Sequence, residues 1–313
     1  MTSSTVDTIE LQFEAGSLIG LNVILALIMF GIALSLSIGD FRRVAKTPKA
    51  PIIGLVAQFL LLPAATWALT RIMGLPPSIS LGMILVASCP GGNISNFIAH
   101  LSKSNTALSV SITAVSTTAA VIMTPVNVSF WGSISPDTRA ILTEFHLSPT
   151  AMLVNVGLVL VVPLVAGMVV AAYLPKLAAR AVGPFKIISI GLFILLIVVA
   201  FHSNFSAFLA VIGIIFIPVA LHNALAWTVG YSAGKAAGLS KRDSRTVAIE
   251  VAIQNSGLGL VLIFGFFGGL GGMAIIAGWW GIWHIVAGLF MAGMWGRVFP
   301  LPRAKDLDEL TNT

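Results

Sequence analysis

Charge is what this 313-residue chain has least of: 17 Lys and Arg with 11 Asp and Glu make up 9% of it, against about 25% in an ordinary soluble domain. That is too little to keep a globular surface dispersed. With 57% hydrophobic residues and a mean hydropathy of +1.01, lipid is the solvent for most of the chain. A soluble enzyme, a secreted disulfide scaffold and a disordered tail are excluded. Cysteine is reduced to Cys89, so there is no intrachain disulfide and no multi-cysteine metal site. No glycine-rich loop is placed to cradle phosphates, so ATP is not the driving force. The mid-span serines Ser95 and Ser256 lack a His–Asp partner set, which argues against an intramembrane hydrolase.

What is present is a series of long apolar runs, at 17–38, 50–72, 77–102, 105–132, 150–173, 185–203, 206–233, 246–270 and 272–298. Each approaches or exceeds the roughly 20 residues that cross the hydrocarbon core as a helix. The expected fold class is therefore all-α integral membrane, with nine transmembrane helices; the runs are continuous and do not alternate, which argues against a closed barrel. Residues 1–16 are acidic (Asp7, Glu10, Glu14) and lack the positive start of a signal peptide, so they read as a retained extracytoplasmic tail. With the N-terminus outside, the outer side keeps only Arg71 and Arg139 of the 17 basic residues, and the C-terminal tail, 299–313, is cytoplasmic. This is a clear positive-inside pattern, and it explains the net charge of +6 as topology, not nucleic-acid binding.

Two spans break their own pattern. Glu250 is the one acidic residue within an apolar run, and a mid-bilayer carboxylate costs on the order of 2.5–3.5 kcal/mol unless it is partnered. It opens the stretch Glu250-Val251-Ala252-Ile253-Gln254-Asn255-Ser256-Gly257. Three consecutive polar side chains cannot share one helix face, because successive residues point about 100° apart. A locally unwound helix resolves this, freeing carbonyls for a cation. In the third span Cys89-Pro90-Gly91-Gly92-Asn93-Ile94-Ser95-Asn96 follows about thirteen residues of helix, roughly 20 Å of rise, which sets it near mid-bilayer. Asn96 and Asn255 stand 159 positions apart, and the polar pair Gln58 and Asn223 stands 165 apart. Spans 2–4 and 7–9 thus read as inverted repeats with paired discontinuous helices, the pattern of an alternating-access transporter with a midplane site. Ser109 and Thr113, four apart, share a helix face and can reach one ion.

The segments CPGGNISN, LSVSITAVST, VAQFLLLP, IEVAIQNSG and the Trp283-His284 pair occur in matching order across residues 30–290. Together they resemble the bile acid:sodium symporter family, in its nine-helix bacterial-type form. The resemblance implies two crossing discontinuous helices and two domains. A panel would comprise 17–38 and 150–203, and an ion- and substrate-binding core 50–132 and 206–298. It implies a first sodium site of Ser95, Asn96, Ser109, Thr113 and Glu250. A second would use Gln58, Glu250, Gln254 and the carbonyls of Val251 and Ile253. Substrate contacts would fall on Asn93, Ile94, Asn255 and His284. Asn93 stands where many members carry threonine, and Ile285 follows His284 where some carry asparagine. Hydroxyl, amide, carboxylate and carbonyl oxygens are the ligands a hard cation takes.

The expected function is sodium symport of an organic anion, a bile acid or a small pantoate-like carboxylate, across the cell inner membrane. The core would move against the panel, with Na+ as coupling ion and with no cofactor, no nucleic-acid partner and no enzymatic step. The alternatives are proton coupling through Glu250 and a membrane sensor that binds without transporting. His222 and Asn223 read as polar glue between helices.

Overall fold

In the computed structural model the structure describes residues 15–299, apart from 35, 37, 93, 146–148 and 204. Nearly all of both expected tails, and Asn93, therefore lie outside the described residues. The described chain is helical throughout: α1 (Ala15–Ala33), α2 (Ile38–Lys46), α3 (Lys49–Val56), a π-helical turn (Ala57–Leu61), α4 (Leu62–Met73), α5 (Pro77–Ser88), α6 (Ile94–Leu101), α7 (Thr106–Ile134), α8 (Pro136–Glu144), α9 (Pro149–Tyr173), α10 (Pro175–Ser203), α11 (Phe205–Ala236), α12 (Lys241–Ala252), α13 (Ser256–Phe266), α14 (Gly271–Gly293) and a closing π-helical turn (Met294–Val298).

Five of these stretches are long and apolar enough to cross a bilayer: Lys49–Met73, Thr106–Ile134, Val156–Tyr173, Ile212–Ala236 and Gly271–Val298. Two of the expected spans are instead split. The third is α5 and α6, and the eighth is α12 and α13. A half-helix such as α5, with 12 residues, rises only about 18 Å, so neither half crosses alone.

The breaks have different causes. Cys89 precedes Pro90, whose ring disfavours helical backbone at the residue before it, and Cys89 is extended (φ −74°, ψ 158°). No proline follows α12. There the chain turns extended at Ile253 (φ −106°, ψ 92°), and Asn255 restarts the helix by accepting the Leu258 N–H at 3.1 Å, as an N-cap residue does.

The π-helical turn in the second span also has a local cause. Pro63 has no N–H, and its ring crowds the carbonyl four residues earlier, Phe59, so the backbone widens there. The freed Phe59 carbonyl accepts the Asn127 side-chain amide of α7 at 2.9 Å. Asn127 in turn accepts the Trp131 indole N–H at 3.2 Å. The same device recurs at the second break. Asn223 of α11 donates to the Ala252 carbonyl at 2.9 Å and accepts from the Trp227 indole at 3.1 Å.

α1 packs on α9 and α10, while α11 lies along α12, and α14 packs on α5, α13 and α6. Every residue of α13 from Ser256 to Phe264 is buried, and so is α5 from Ser78 onward. These helices are apolar all round because protein surrounds them. The α11–α12 contact depends on Gly230. A Cβ there would lie 2.7 Å from the Ala248 Cα and 2.9 Å from the Val247 carbonyl oxygen, backbone atoms that cannot rotate away. Gly230→Ala is expected to destabilise the protein by about 1–3 kcal/mol, as overpacking does, read as a lowered thermal midpoint in detergent. An unchanged midpoint would refute this close contact.

Candidate functional site

The two interrupted segments meet and pair. Gly91 and Gln254 form an antiparallel bridge, closed by Gly92 N–H to the Ile253 carbonyl at 2.7 Å and Asn255 N–H to the Pro90 carbonyl at 2.9 Å. The backbone groups released by the breaks are thus partly satisfied by each other, as buried peptide groups require. The adjacent Ser88 carbonyl, at the end of α5, accepts the Thr124 hydroxyl of α7 at 2.7 Å. Such a close crossing leaves no room for side chains. A Cβ on Gly91 would lie 2.8 Å from Glu250 Oε2, and one on Gly92 2.9 Å from the Gln254 carbonyl oxygen.

Glu250, in the last turn of α12, is fully buried. Its Oε1 accepts the Ser109 hydroxyl in a short hydrogen bond, and its Oε2 accepts the Thr113 hydroxyl at 2.8 Å. Asn96 Oδ1 takes up the same two hydroxyls, from Ser109 at 2.9 Å and Thr113 at 3.4 Å. Ser95 Oγ lies 3.4 Å from Thr113 Oγ1. All five residues expected in the first site are therefore in one cluster. Its partners to the carboxylate are neutral hydroxyls from α7, one turn apart, with no cationic side chain among these bonds. Removing a carboxylate from water without a counter-charge is costly. The hydroxyls donate to oxygen here, and each can rotate to present a lone pair to a cation instead.

The second group surrounds Gln58, which the π-helical turn carries. Its Nε2 donates to the Cys89 carbonyl and to Gln254 Oε1, both at 2.7 Å. Gln254 Nε2 donates to the Val251 carbonyl at 2.6 Å. The Ile253 carbonyl is engaged by Gly92 N–H but retains a second lone pair. Gln58, Gln254, Val251 and Ile253 are thus in one polar group, joined through α12 to Glu250.

Of the expected substrate contacts, Ile94 opens α6 and Asn255 caps α13, both half-buried at the crossing. His284 is 3% exposed on α14, and its Nδ1 is buried with no hydrogen-bond partner. No hydrogen bond joins it to the other site residues among the described residues. His222 does act between helices: its Nε2 lies 2.8 Å from the Thr66 hydroxyl. Sequence reasoning missed Gly91 as the residue facing Glu250, and Thr124 and Asn127 as the groups that hold the irregular backbone. Asn127 was detectable as a polar residue within an apolar run. Arg245, one of the basic residues that the positive-inside count assigns to the inner loops and tail, is buried in α12. Its guanidinium donates to the Phe299 carbonyl at 2.6 Å and lies 5.2 Å from the Trp295 ring centre, so it caps the end of the last helix.

Comparison with known proteins gives one consistent result. Residues 22–211 match the family described as Sodium Bile acid symporter family. The chain is 30% identical over 277 residues to the uncharacterized sodium-dependent transporter YocS of Bacillus subtilis, covering 88% of this chain and 83% of that protein. It is 31% identical over 278 residues to the probable chloroplastic sodium/metabolite cotransporter BASS1 of Arabidopsis thaliana, covering 88% of this chain and 66% of the plant protein. The P3 protein of Mus musculus is 29% identical over 242 residues, and the chain spans 48% of its length.

Proposed function

The chain belongs to the Sodium Bile acid symporter family, a family of sodium-dependent membrane transporters, and on that premise we propose that it is a secondary symporter coupling Na+ entry to uptake of an organic anion. The observation that carries this reading is Glu250: a buried carboxylate at the crossing of two broken helices, held by neutral hydroxyls.

In this reading the first sodium ion takes Ser95, Asn96, Ser109, Thr113 and Glu250, and the second takes Gln58, Gln254, Glu250 and the Val251 and Ile253 carbonyls. All are hard oxygen donors. The ions supply the charge that the protein withholds from Glu250. Four helix ends meet at the crossing. The C-terminal ends of α5 and α12 favour cations there, and the N-terminal ends of α6 and α13 favour the carboxylate or sulfonate of a substrate. Asn255, Ile94 and His284, with Asn93, would line that substrate position. The plant relatives carry the name probable sodium/metabolite cotransporter, which supports sodium coupling, with a bile acid or a small pantoate-like carboxylate as the anion.

Nine spans arranged as inverted repeats fit the two breaks, the antiparallel bridge between them and the charge distribution. The packing of α1 with α9 and α10 supports these as a panel against which the remaining helices move. The N-terminus would then be extracytoplasmic and the C-terminus cytoplasmic, in the cell inner membrane.

The test is uptake of candidate carboxylates into proteoliposomes, with external sodium replaced by choline at fixed pH. Uptake is expected to fall to the level of empty vesicles. Uptake that persists unchanged without sodium would eliminate sodium coupling and leave the proton as the coupling ion.

A further inference from the structure

Along the C-terminal half of α7, against the start of α9, runs an open groove of about 640 Å³. Its floor begins at Pro125, next to Thr124, whose hydroxyl holds the Ser88 carbonyl at the break. One end of the groove is therefore level with the crossing. From there α7 continues to Ile134, nine residues or about 13.5 Å of rise, close to half of the roughly 30 Å hydrocarbon core. The walls are apolar and uncovered: Val126, Phe130 and Leu153 are 51%, 57% and 39% exposed. At the far end α8 brings Arg139 to the rim, where its Nε–H donates to the Ser133 carbonyl at 2.7 Å. Among the described residues this bond holds the guanidinium at the groove and uses one of its five donors.

A cavity one leaflet deep, mainly apolar with Ser129, Ser133 and Thr150 among its lining and cationic at its mouth, matches an amphiphile with an anionic head and a long chain. We infer that this groove seats one phospholipid of the outer leaflet, its phosphate on Arg139 and one acyl chain lying against Val126, Phe130 and Leu153 down to Pro125. The phosphate matches the guanidinium fork, and the chain covers side chains that no other part of the described protein covers. The lipid would stand between α7 and α9, the helices assigned above to the two moving bodies. Its binding needs α7 to lie in the bilayer but does not need sodium coupling, so lipid retention and transport can fail separately.

Native mass spectrometry of the full chain in mild detergent tests this, with phosphatidylglycerol, phosphatidylethanolamine, diacylglycerol of the same chains, and inorganic phosphate as probes. Both phospholipids are expected to be retained at one per chain, and diacylglycerol about tenfold or more weakly, the effect of losing a charge-assisted contact. Arg139→Gln should reduce phospholipid retention to the diacylglycerol level. Leu153→Trp, which fills the groove and keeps the arginine, should abolish it. Both positions are exposed, so neither variant threatens folding. Retention unaffected by the two substitutions, or equal retention of diacylglycerol, would reduce the site to ordinary annular lipid and overturn the inference. Displacement by inorganic phosphate would overturn it in favour of a free-anion site.

Discussion

Glu250→Gln should abolish sodium-driven uptake and lower sodium affinity by about a hundredfold or more. The substitution keeps the shape of the side chain and removes the one negative charge that both proposed ion positions share. Losing a charge-assisted contact costs about 1.5–3 kcal/mol, and removing one partner of a buried ion pair about 3–5 kcal/mol. Calorimetric titration with NaCl and proteoliposome uptake read the two effects. The Ser109 and Thr113 hydroxyls that now donate to the carboxylate can turn to meet an amide. In sodium-free buffer the variant should therefore be at least as stable as the native chain, since it no longer buries an uncompensated charge. This separates loss of ion binding from misfolding. Sodium-stimulated uptake that survives in the variant would remove Glu250 from the mechanism.

Gly91→Ala and Gly92→Ala should fail in different ways, although they are neighbours. In Gly91→Ala the new Cβ would meet Glu250 Oε2 at 2.8 Å, the end of a side chain that can yield only by giving up its 2.8 Å bond from Thr113. Because a side-chain end yields and the backbone stays in place, sodium-free stability should change little, and sodium affinity should fall by about tenfold, the effect of one charge-assisted hydrogen bond. In Gly92→Ala the new Cβ would meet the Gln254 carbonyl oxygen at 2.9 Å and its carbon at 3.2 Å. Backbone in the bridge cannot yield without opening it, so folding is affected first. Thermal melts with and without sodium distinguish the two. Gly91→Ala should melt nearly as the native chain does without sodium and lose most of the sodium-induced shift. Gly92→Ala should melt early in both. A full sodium shift in Gly91→Ala would show that Glu250 is free to move and is not held as described.

Much of this site can be read from residue order, because local chemistry writes it. Pro90 dictates where α5 stops. The four-residue spacing of Ser109 and Thr113 puts both hydroxyls on one face of α7, where they meet Glu250. The run from Gln254 to Ser256 could not be an ordinary lipid-facing helix, and it is not one. The rest depends on what meets across the chain. Nothing in the sequence of α12 requires it to end at Ala252. The stop is set by hydrogen bonds to Pro90 and Gly92, more than 160 residues away. A glycine pair after a proline reads as a turn, and only the approach of Glu250 shows that Gly91 is small for the sake of the carboxylate. Charge alone assigns Arg245 to a loop, but its long side chain reaches the carbonyls that end the last helix and lies beside Trp295, so it remains buried. The short polar helices α2 and α8 escape a count of apolar runs, because neither is apolar.

The neutral surroundings of Glu250 have an electrical consequence. With two sodium ions, one carboxylate and a monovalent organic anion, the loaded crossing sums to zero charge, and the membrane voltage neither helps nor hinders its passage. Emptied, the same crossing carries a single negative charge through the field, worth about 2.3 kcal/mol per 100 mV if it traverses the whole drop. A negative cell interior would then push the vacant carrier back toward the outside, so that the voltage acts on the reset of the cycle and not on the delivery of cargo.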